Sequence, residues 1–125
     1  MEKINVFAGW IGISLGFLAG AVLGIFFQKE DWLGGYSSWK RRLLRLGHIS
    51  FFGLAFINFA FAWTVSIFQL HSVGVPSFLF VVAAVMMPLS CFWAAYKKSL
   101  QFILFPIPIT ALLIAAAYTM RHILL

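Results

Sequence analysis

Charged residues are scarce in this sequence, and acidic residues are scarcer still. Only 10% of the 125 residues are charged, against 63% that are apolar, whereas soluble domains contain about 25% charged residues. The three carboxylates are Glu2, Glu30 and Asp31, and none of them lies inside a long apolar run. A proton-coupled carrier needs an ionisable group at membrane depth, so this absence counts against that class of protein.

Cysteine occurs once, as Cys91. A single cysteine cannot form an intramolecular disulfide, and it also excludes a multi-cysteine metal or dithiol redox centre within one chain. We therefore expect Cys91 to be a small buried residue.

The motifs of two families of small four-helix membrane proteins are also absent. The first apolar run lacks the membrane-embedded glutamate of small multidrug exporters, and the glycine-rich arginine motif of fluoride channels is not found.

Long uncharged runs dominate the rest of the chain, and the mean hydropathy is +1.01. The runs cover residues 4–28, 46–96 and 99–120. The middle run is more than twice as long as the roughly 20 residues that cross a bilayer, and it has turn-forming residues at 71–76. We therefore predict an all-α integral membrane protein, a single four-transmembrane-helix bundle over residues 1–125. Its spans are predicted at 4–27, 46–70, 75–96 and 100–121.

The basic residues predict the orientation of the four spans. Five of the nine lie in the segment 28–45 and two more lie at 97–98. Because basic loops stay on the cytoplasmic side, we expect segments 28–45 and 97–99 in the cytoplasm and both termini on the non-cytoplasmic side. A bacterial-type inner membrane suits this pattern. The net charge of +6 is then a signal of topology and lipid contact rather than of nucleic-acid binding.

The basic segment 28–45 also contains aromatic residues. Tryptophan and tyrosine concentrate at the headgroup level of membranes, and clustered Lys and Arg suit an anionic leaflet. We expect interfacial anchoring with anionic lipid headgroups as partners, and docking of another protein is the alternative. Ser37 or Ser38 can cap a helix that begins in the interface and continues into the second span. The residues predicted at this interface are Trp32, Tyr36, Trp39, Lys40, Arg41, Arg42 and Arg45.

Glycines recur every fourth residue along the first span, at Gly12, Gly16, Gly20 and Gly24. Small residues at this spacing let another helix approach the backbone closely. Packing against a helix of the same chain is the first interpretation. Self-association, docking on another subunit, and a pore-lining or cofactor-facing role remain open.

The second span carries polar residues on one stripe. At about 100° per residue, His48, Asn58, Ser66 and Gln69 fall on a narrow arc, together with small residues. Polar groups cost free energy in hydrocarbon, so such a stripe is expected to face protein, a ligand or water. It is either a packing seam or a working face.

His48 is the histidine that lies within a span. A neutral imidazole there can hydrogen-bond a neighbouring helix, ligate a b-type haem whose second ligand comes from another chain, contact a quinone, or take part in proton transfer. His71 and His122 end the second and fourth spans on the opposite side, about a membrane thickness away. They are either a pair of metal ligands at one surface or ordinary interfacial residues.

Prolines interrupt the last two spans. Pro88 lies in the third span, and Pro106 and Pro108 lie about one turn into the fourth. Each proline removes a helix hydrogen bond, so we expect bends at these positions. The bends either leave a cavity or are absorbed by ordinary packing.

The segments between the spans are too short to fold as a separate domain. We therefore predict an accessory, non-catalytic subunit of a larger membrane complex. In the more specific form of this hypothesis the complex is respiratory or photosynthetic, and a haem or quinone lies near His48. The alternative is a small homo-oligomeric channel or carrier with Asn58, Ser66 and Gln69 along its path.

Overall fold

The computed structural model describes residues 2–125, apart from the side chain of residue 2, so the predicted position of the Glu2 carboxylate lies outside the described part. The described residues form helices and turns and no strand. Short 3-10 turns occur at Trp32–Gly34 and Lys98–Leu100. The α-helices are α1 (Glu2–Phe27), α2 (Trp39–Phe68), α3 (Gly74–Tyr96), α4 (Gln101–Leu104) and α5 (Pro106–Leu124).

Four helical segments are long and apolar enough to cross a membrane, as the hydropathy pattern predicts. They are Lys3–Phe27, Trp39–Phe68, Gly74–Tyr96 and Lys98–Leu124, and the last comprises a 3-10 turn, α4 and α5. All four contain more than the roughly 20 residues that a bilayer requires. The predicted all-helical architecture is confirmed at this level.

The second helix begins seven residues earlier than the predicted boundary at 46. Ser38 has extended backbone angles, φ −63° and ψ 147°, and its Oγ accepts a hydrogen bond from the Arg41 N–H. This N-cap satisfies one of the amides that a helix start leaves unpaired. The basic residues at 40–45 are therefore helical, and the connection that precedes them covers 28–38 rather than 28–45.

The two proline sites behave differently. α3 continues through Pro88, whereas the fourth segment is interrupted at Phe105, directly before Pro106. Pro108 cannot donate to the Leu104 carbonyl four residues earlier. Ser90 on α3 compensates in part, because its Oγ lies 3.4 Å from that carbonyl as well as 2.6 Å from the Met86 carbonyl.

α2 and α3 form the centre of the fold. α1 packs mainly on α2 and to a lesser extent on α3, and α5 packs on α3. The largest buried cluster joins α2, α3 and α5 through Phe61, Val65, Phe80 and Ala115. Large apolar side chains cover the outer faces, as expected for helices that are surrounded by lipid.

Candidate functional site

A buried polar network joins the first three helices. Asn5 Nδ2 on α1 donates to Asn58 Oδ1 on α2 at 2.8 Å and to the Ser77 carbonyl on α3 at 3.2 Å. Ser77 Oγ donates in turn to Asn5 Oδ1 at 2.5 Å. Asn5 and Asn58 are 0% exposed and Ser77 is 1% exposed. Each buried polar group thus has a partner from a different helix.

The remaining hydrogen bonds of Asn58 use both N–H groups of its side-chain amide. Its Nδ2 donates to the Leu54 carbonyl at 2.9 Å and to the Phe80 carbonyl at 3.2 Å. No buried side-chain nitrogen or oxygen among the described residues lacks a hydrogen-bond partner. Within one chain, Asn58 therefore serves the contact between three helices.

The predicted polar stripe divides into two parts in the structure. Asn58 is buried, whereas Ser66 and Gln69 are exposed. Gln69 also lies beyond the helix, because it adopts the left-handed conformation, φ 50° and ψ 46°, that ends α2. The structure consequently does not bring Asn58, Ser66 and Gln69 together on one buried face.

Asn5 is the residue of this network that the sequence pattern does not single out. It lies one residue inside the first predicted span, where an amide needs a hydrogen-bond partner. That position is the signal that could have identified it. Its partners are 53 and 72 residues away in the chain, so the sequence pattern alone does not identify them.

The glycine ridge of α1 is the surface on which α2 packs. A Cβ added at Gly12 would lie 3.0 Å from the Phe51 carbonyl oxygen, and one at Gly16 would lie 2.7 Å from the Phe52 ring. Gly9, which is outside the predicted series, is covered equally closely by the ring of Phe59, at 2.6 Å. Packing within the chain therefore uses the ridge at Gly9, Gly12, Gly16 and Gly20.

Gly24 differs from the rest of the series. No atom of another element lies within 4 Å of the position that its Cβ would occupy. Its predicted role in helix packing is therefore not fulfilled within the chain. The ridge ends as an intrachain contact at Gly20.

His48 lies where α2 passes over Gly20. A Cβ at Gly20 would be 2.7 Å from His48 Nε2, so the imidazole occupies the space that the glycine leaves free. The Phe52 ring meets the imidazole edge-on, with ring centroids 5.5 Å apart. In this orientation Nε2 faces α1 rather than the surroundings of the chain. Haem ligation through Nε2 would require the ring to turn away from Gly20.

The other candidate ligands are dispersed. His71 is exposed, and His122 Nδ1 lies 2.8 Å from the Tyr118 carbonyl of its own helix. Among residues 2–125, no group of three or more His, Cys, Asp or Glu side chains is placed to hold a metal ion. Cys91 is fully buried, and its Cβ helps to cover Gly47 on α2.

Arg41 is buried, with 3% of its surface exposed, and it fastens the connection between α1 and α2. Its Nε donates to the Trp32 carbonyl at 2.6 Å, and its Nη2 donates to the Lys29 carbonyl. The guanidinium also lies over the rings of Phe27 and Trp32, 4.9 and 5.7 Å from their centroids. Arg41 was predicted to face lipid headgroups, and its side chain faces the loop backbone instead.

Arg45 repeats this arrangement one turn later on α2. Its Nη1 donates to the Tyr36 carbonyl at 3.0 Å, and its guanidinium lies 4.1 Å from the centroid of the Tyr36 ring. Planar guanidinium groups suit such combined hydrogen-bonding and stacking contacts.

The other residues predicted at the membrane interface differ in exposure. Arg42 and Tyr36 are exposed, and Trp32, Trp39 and Lys40 are half-buried.

α2 also has an outer face that neither α1 nor α3 covers. Exposed residues follow one another at alternating spacings of four and three, which is the spacing of helix–helix seams. Gly53 lies within this face, and no atom of another element lies within 4 Å of the position that its Cβ would occupy. We call this surface the α2 outer face; its residues are Ile49, Gly53, Phe56, Ala60, Trp63 and Ile67.

The fold and these contacts define the class of protein as an all-helical chain with four helices that are long and apolar enough to span a membrane. Its buried polar side chains connect α1, α2 and α3 through hydrogen bonds. Comparison with known protein families, with characterised proteins and with solved structures finds no match.

Proposed function

We propose that this chain is an accessory subunit of a larger membrane assembly and that it docks through the α2 outer face. The observation that carries the proposal is Gly53. A helical glycine costs about 1 kcal/mol relative to alanine in water, and close packing within the chain does not require one at this position. At a contact with a second helix, the same glycine allows close approach of the two backbones.

The pattern around Gly53 supports helix docking. Gly53 and Ala60 are seven residues apart, and Phe56 and Trp63 alternate with them on the same face. Two small residues a heptad apart form a shallow groove, and the flanking aromatic rings are knobs for the opposite helix. Trp63 is 73% exposed, so its ring is available to a neighbour.

The buried polar residues support a structural role for the chain. Asn5, Asn58 and Ser77 bond to one another and to backbone carbonyls. Their hydrogen bonds stabilise the arrangement of α1, α2 and α3, and so they keep the outer surface in a defined shape. The packing of His48 on Gly20 favours the same role for that residue over haem ligation through Nε2.

The orientation of the subunit follows from its charges. The connection 28–38, the start of α2 and the residues 97–98 hold seven of the nine basic residues. We propose that this end lies in the cytoplasm, with both chain termini on the other side of a bacterial-type inner membrane.

Co-purification from native membranes in mild detergent tests the accessory role. We expect other membrane proteins in stoichiometric amounts with the wild-type chain. Gly53→Leu should abolish this association because the added side chain fills the groove, whereas Ala117→Leu, at an exposed small residue of α5, should not. A stable homodimer or homo-oligomer without other subunits would contradict the proposal and favour the channel alternative.

Site-specific cross-linking locates the contact. A photoreactive residue at Phe56, which is 61% exposed on the α2 outer face, should cross-link to another subunit, and one at Phe78, which is 67% exposed on α3, should not.

An absorption spectrum of the purified assembly tests whether His48 ligates a haem. A Soret band that His48→Ala removes and His71→Ala retains would overturn the assignment of His48 to packing.

A further inference from the structure

A cavity at the basic end of the molecule is lined by two cationic side chains, Arg42 and Lys98. Its volume is about 290 Å³, and it lies between the start of α2 and the start of the fourth segment. Trp39, Arg42, Leu43, Lys98 and Gln101 line it.

Helix periodicity and packing bring these residues together. Trp39, Arg42 and Leu43 are three and four residues apart, which places them on one face of α2. The position of Leu43 in the cavity wall is fixed by packing, because Leu43 is buried in a cluster with Ala94 and Ala95 at the end of α3. The chain that follows α3 then places Lys98 and Gln101 opposite this face.

The cavity is positively charged, and neither of the two carboxylates that the structure describes, Glu30 and Asp31, lines it. Arg41 and Arg45 are engaged with loop carbonyls and aromatic rings, whereas Arg42 and Lys98 are exposed. A guanidinium can bind two oxygens of one phosphate, and an ammonium adds a compact charge. The pair suits a phosphate group.

An apolar cavity continues from the basic one. Its volume is about 500 Å³, and it shares Gln101 as a lining residue. Phe102, Phe105, Pro106 and Ile109 line it along the interruption between α4 and α5. Ile109 lies eight residues beyond Gln101 in the sequence, a rise of about 12 Å along the helices. The second cavity thus extends from the level of the cationic pair along the span.

We propose that the two adjoining cavities bind one anionic phospholipid. Its phosphate lies between Arg42 and Lys98, and one acyl chain lies along Phe105 and Ile109. The half-buried Trp39 is placed at the glycerol level, as tryptophan is at membrane interfaces. The inference requires that the helices span a membrane, and it is independent of the accessory role proposed above.

Lipid titration of the delipidated full chain in detergent, followed by native mass spectrometry, tests the site. Phosphatidylglycerol should bind more tightly than phosphatidylcholine of the same acyl length. In Arg42→Gln/Lys98→Gln this preference should fall by about thirtyfold, since each basic side chain near an anionic surface contributes about a fivefold factor and the two factors multiply. The Lys29→Gln/Lys97→Gln variant carries the same charge change on the same side and should keep the preference.

Two further measurements distinguish binding of the phosphate group from binding of the acyl chain. Ile109→Trp fills the apolar cavity without a change in charge and should weaken phosphatidylglycerol binding while the helical circular dichroism spectrum is unchanged. Millimolar inorganic phosphate should not displace the lipid. Equal affinity for the two lipids, equal losses in both charge variants, or full displacement by inorganic phosphate would each overturn the proposal.

Discussion

Asn5 and Asn58 bond side chain to side chain at 2.8 Å, although 53 residues separate them in the chain. Both are fully buried, one on α1 and one on α2. Replacement of Asn58 by leucine should lower stability by about 1–3 kcal/mol, because buried partners lose their hydrogen bonds. Unfolding of the purified protein in mixed micelles measures the loss.

A double-mutant cycle of Asn5→Ala and Asn58→Ala isolates the bond itself. Interhelical hydrogen bonds in membranes average about 0.6 kcal/mol and reach about 1.7 kcal/mol, and we expect a coupling energy in this range. Strictly additive losses would mean that the two amides do not interact.

The glycine ridge provides a matched pair of variants. Gly12→Ala should destabilise the protein by about 1–3 kcal/mol, because its Cβ would lie 3.0 Å from a backbone oxygen of α2 that cannot move independently of the helix. Gly24→Ala should be neutral or stabilising, since that position has open space. Thermal unfolding in detergent compares the two, and equal destabilisation would refute the asymmetry of the ridge.

Arg41→Lys should loosen the connection between α1 and α2. Lysine lacks the planar fork with which Arg41 reaches both the Trp32 and the Lys29 carbonyls. Hydrogen exchange at the Gly34 and Gly35 amides should accelerate by about tenfold to a hundredfold, since a hydrogen bond from a charged group contributes about 1.5–3 kcal/mol. Arg42→Lys is the control, because Arg42 is exposed. Protection that is unaffected by Arg41→Lys would exclude this role.

Cysteine labelling in intact cells tests the orientation. In a Cys91→Ala background, Ser37→Cys and His71→Cys place one exposed thiol at each end of α2. A membrane-impermeant maleimide should label the cysteine at 71 in intact cells and the cysteine at 37 only after the cells are opened. The reverse pattern would invert the proposed topology.

The sequence by itself predicted the four segments of membrane-spanning length, because hydrophobicity and length are local properties of each segment. The cap at Ser38 and the interruption before Pro106 also follow from local backbone chemistry, namely a side-chain acceptor at a helix start and a missing N–H. The uncharged run that sets the predicted span begins at 46, whereas the helix capped by Ser38 begins at Trp39, so α2 extends seven residues beyond the start of the predicted span.

Only the tertiary structure decided which polar and glycine residues act together. Sequence periodicity placed Asn58 with Ser66 and Gln69, whereas the fold buries Asn58 with Asn5 and Ser77 and leaves the other two exposed. The fold also brings the Arg41 guanidinium within hydrogen-bonding distance of loop carbonyls and packs His48 on Gly20. The physical reason is that a helical stripe specifies which residues share a face, while the identity of their partners depends on how distant helices pack.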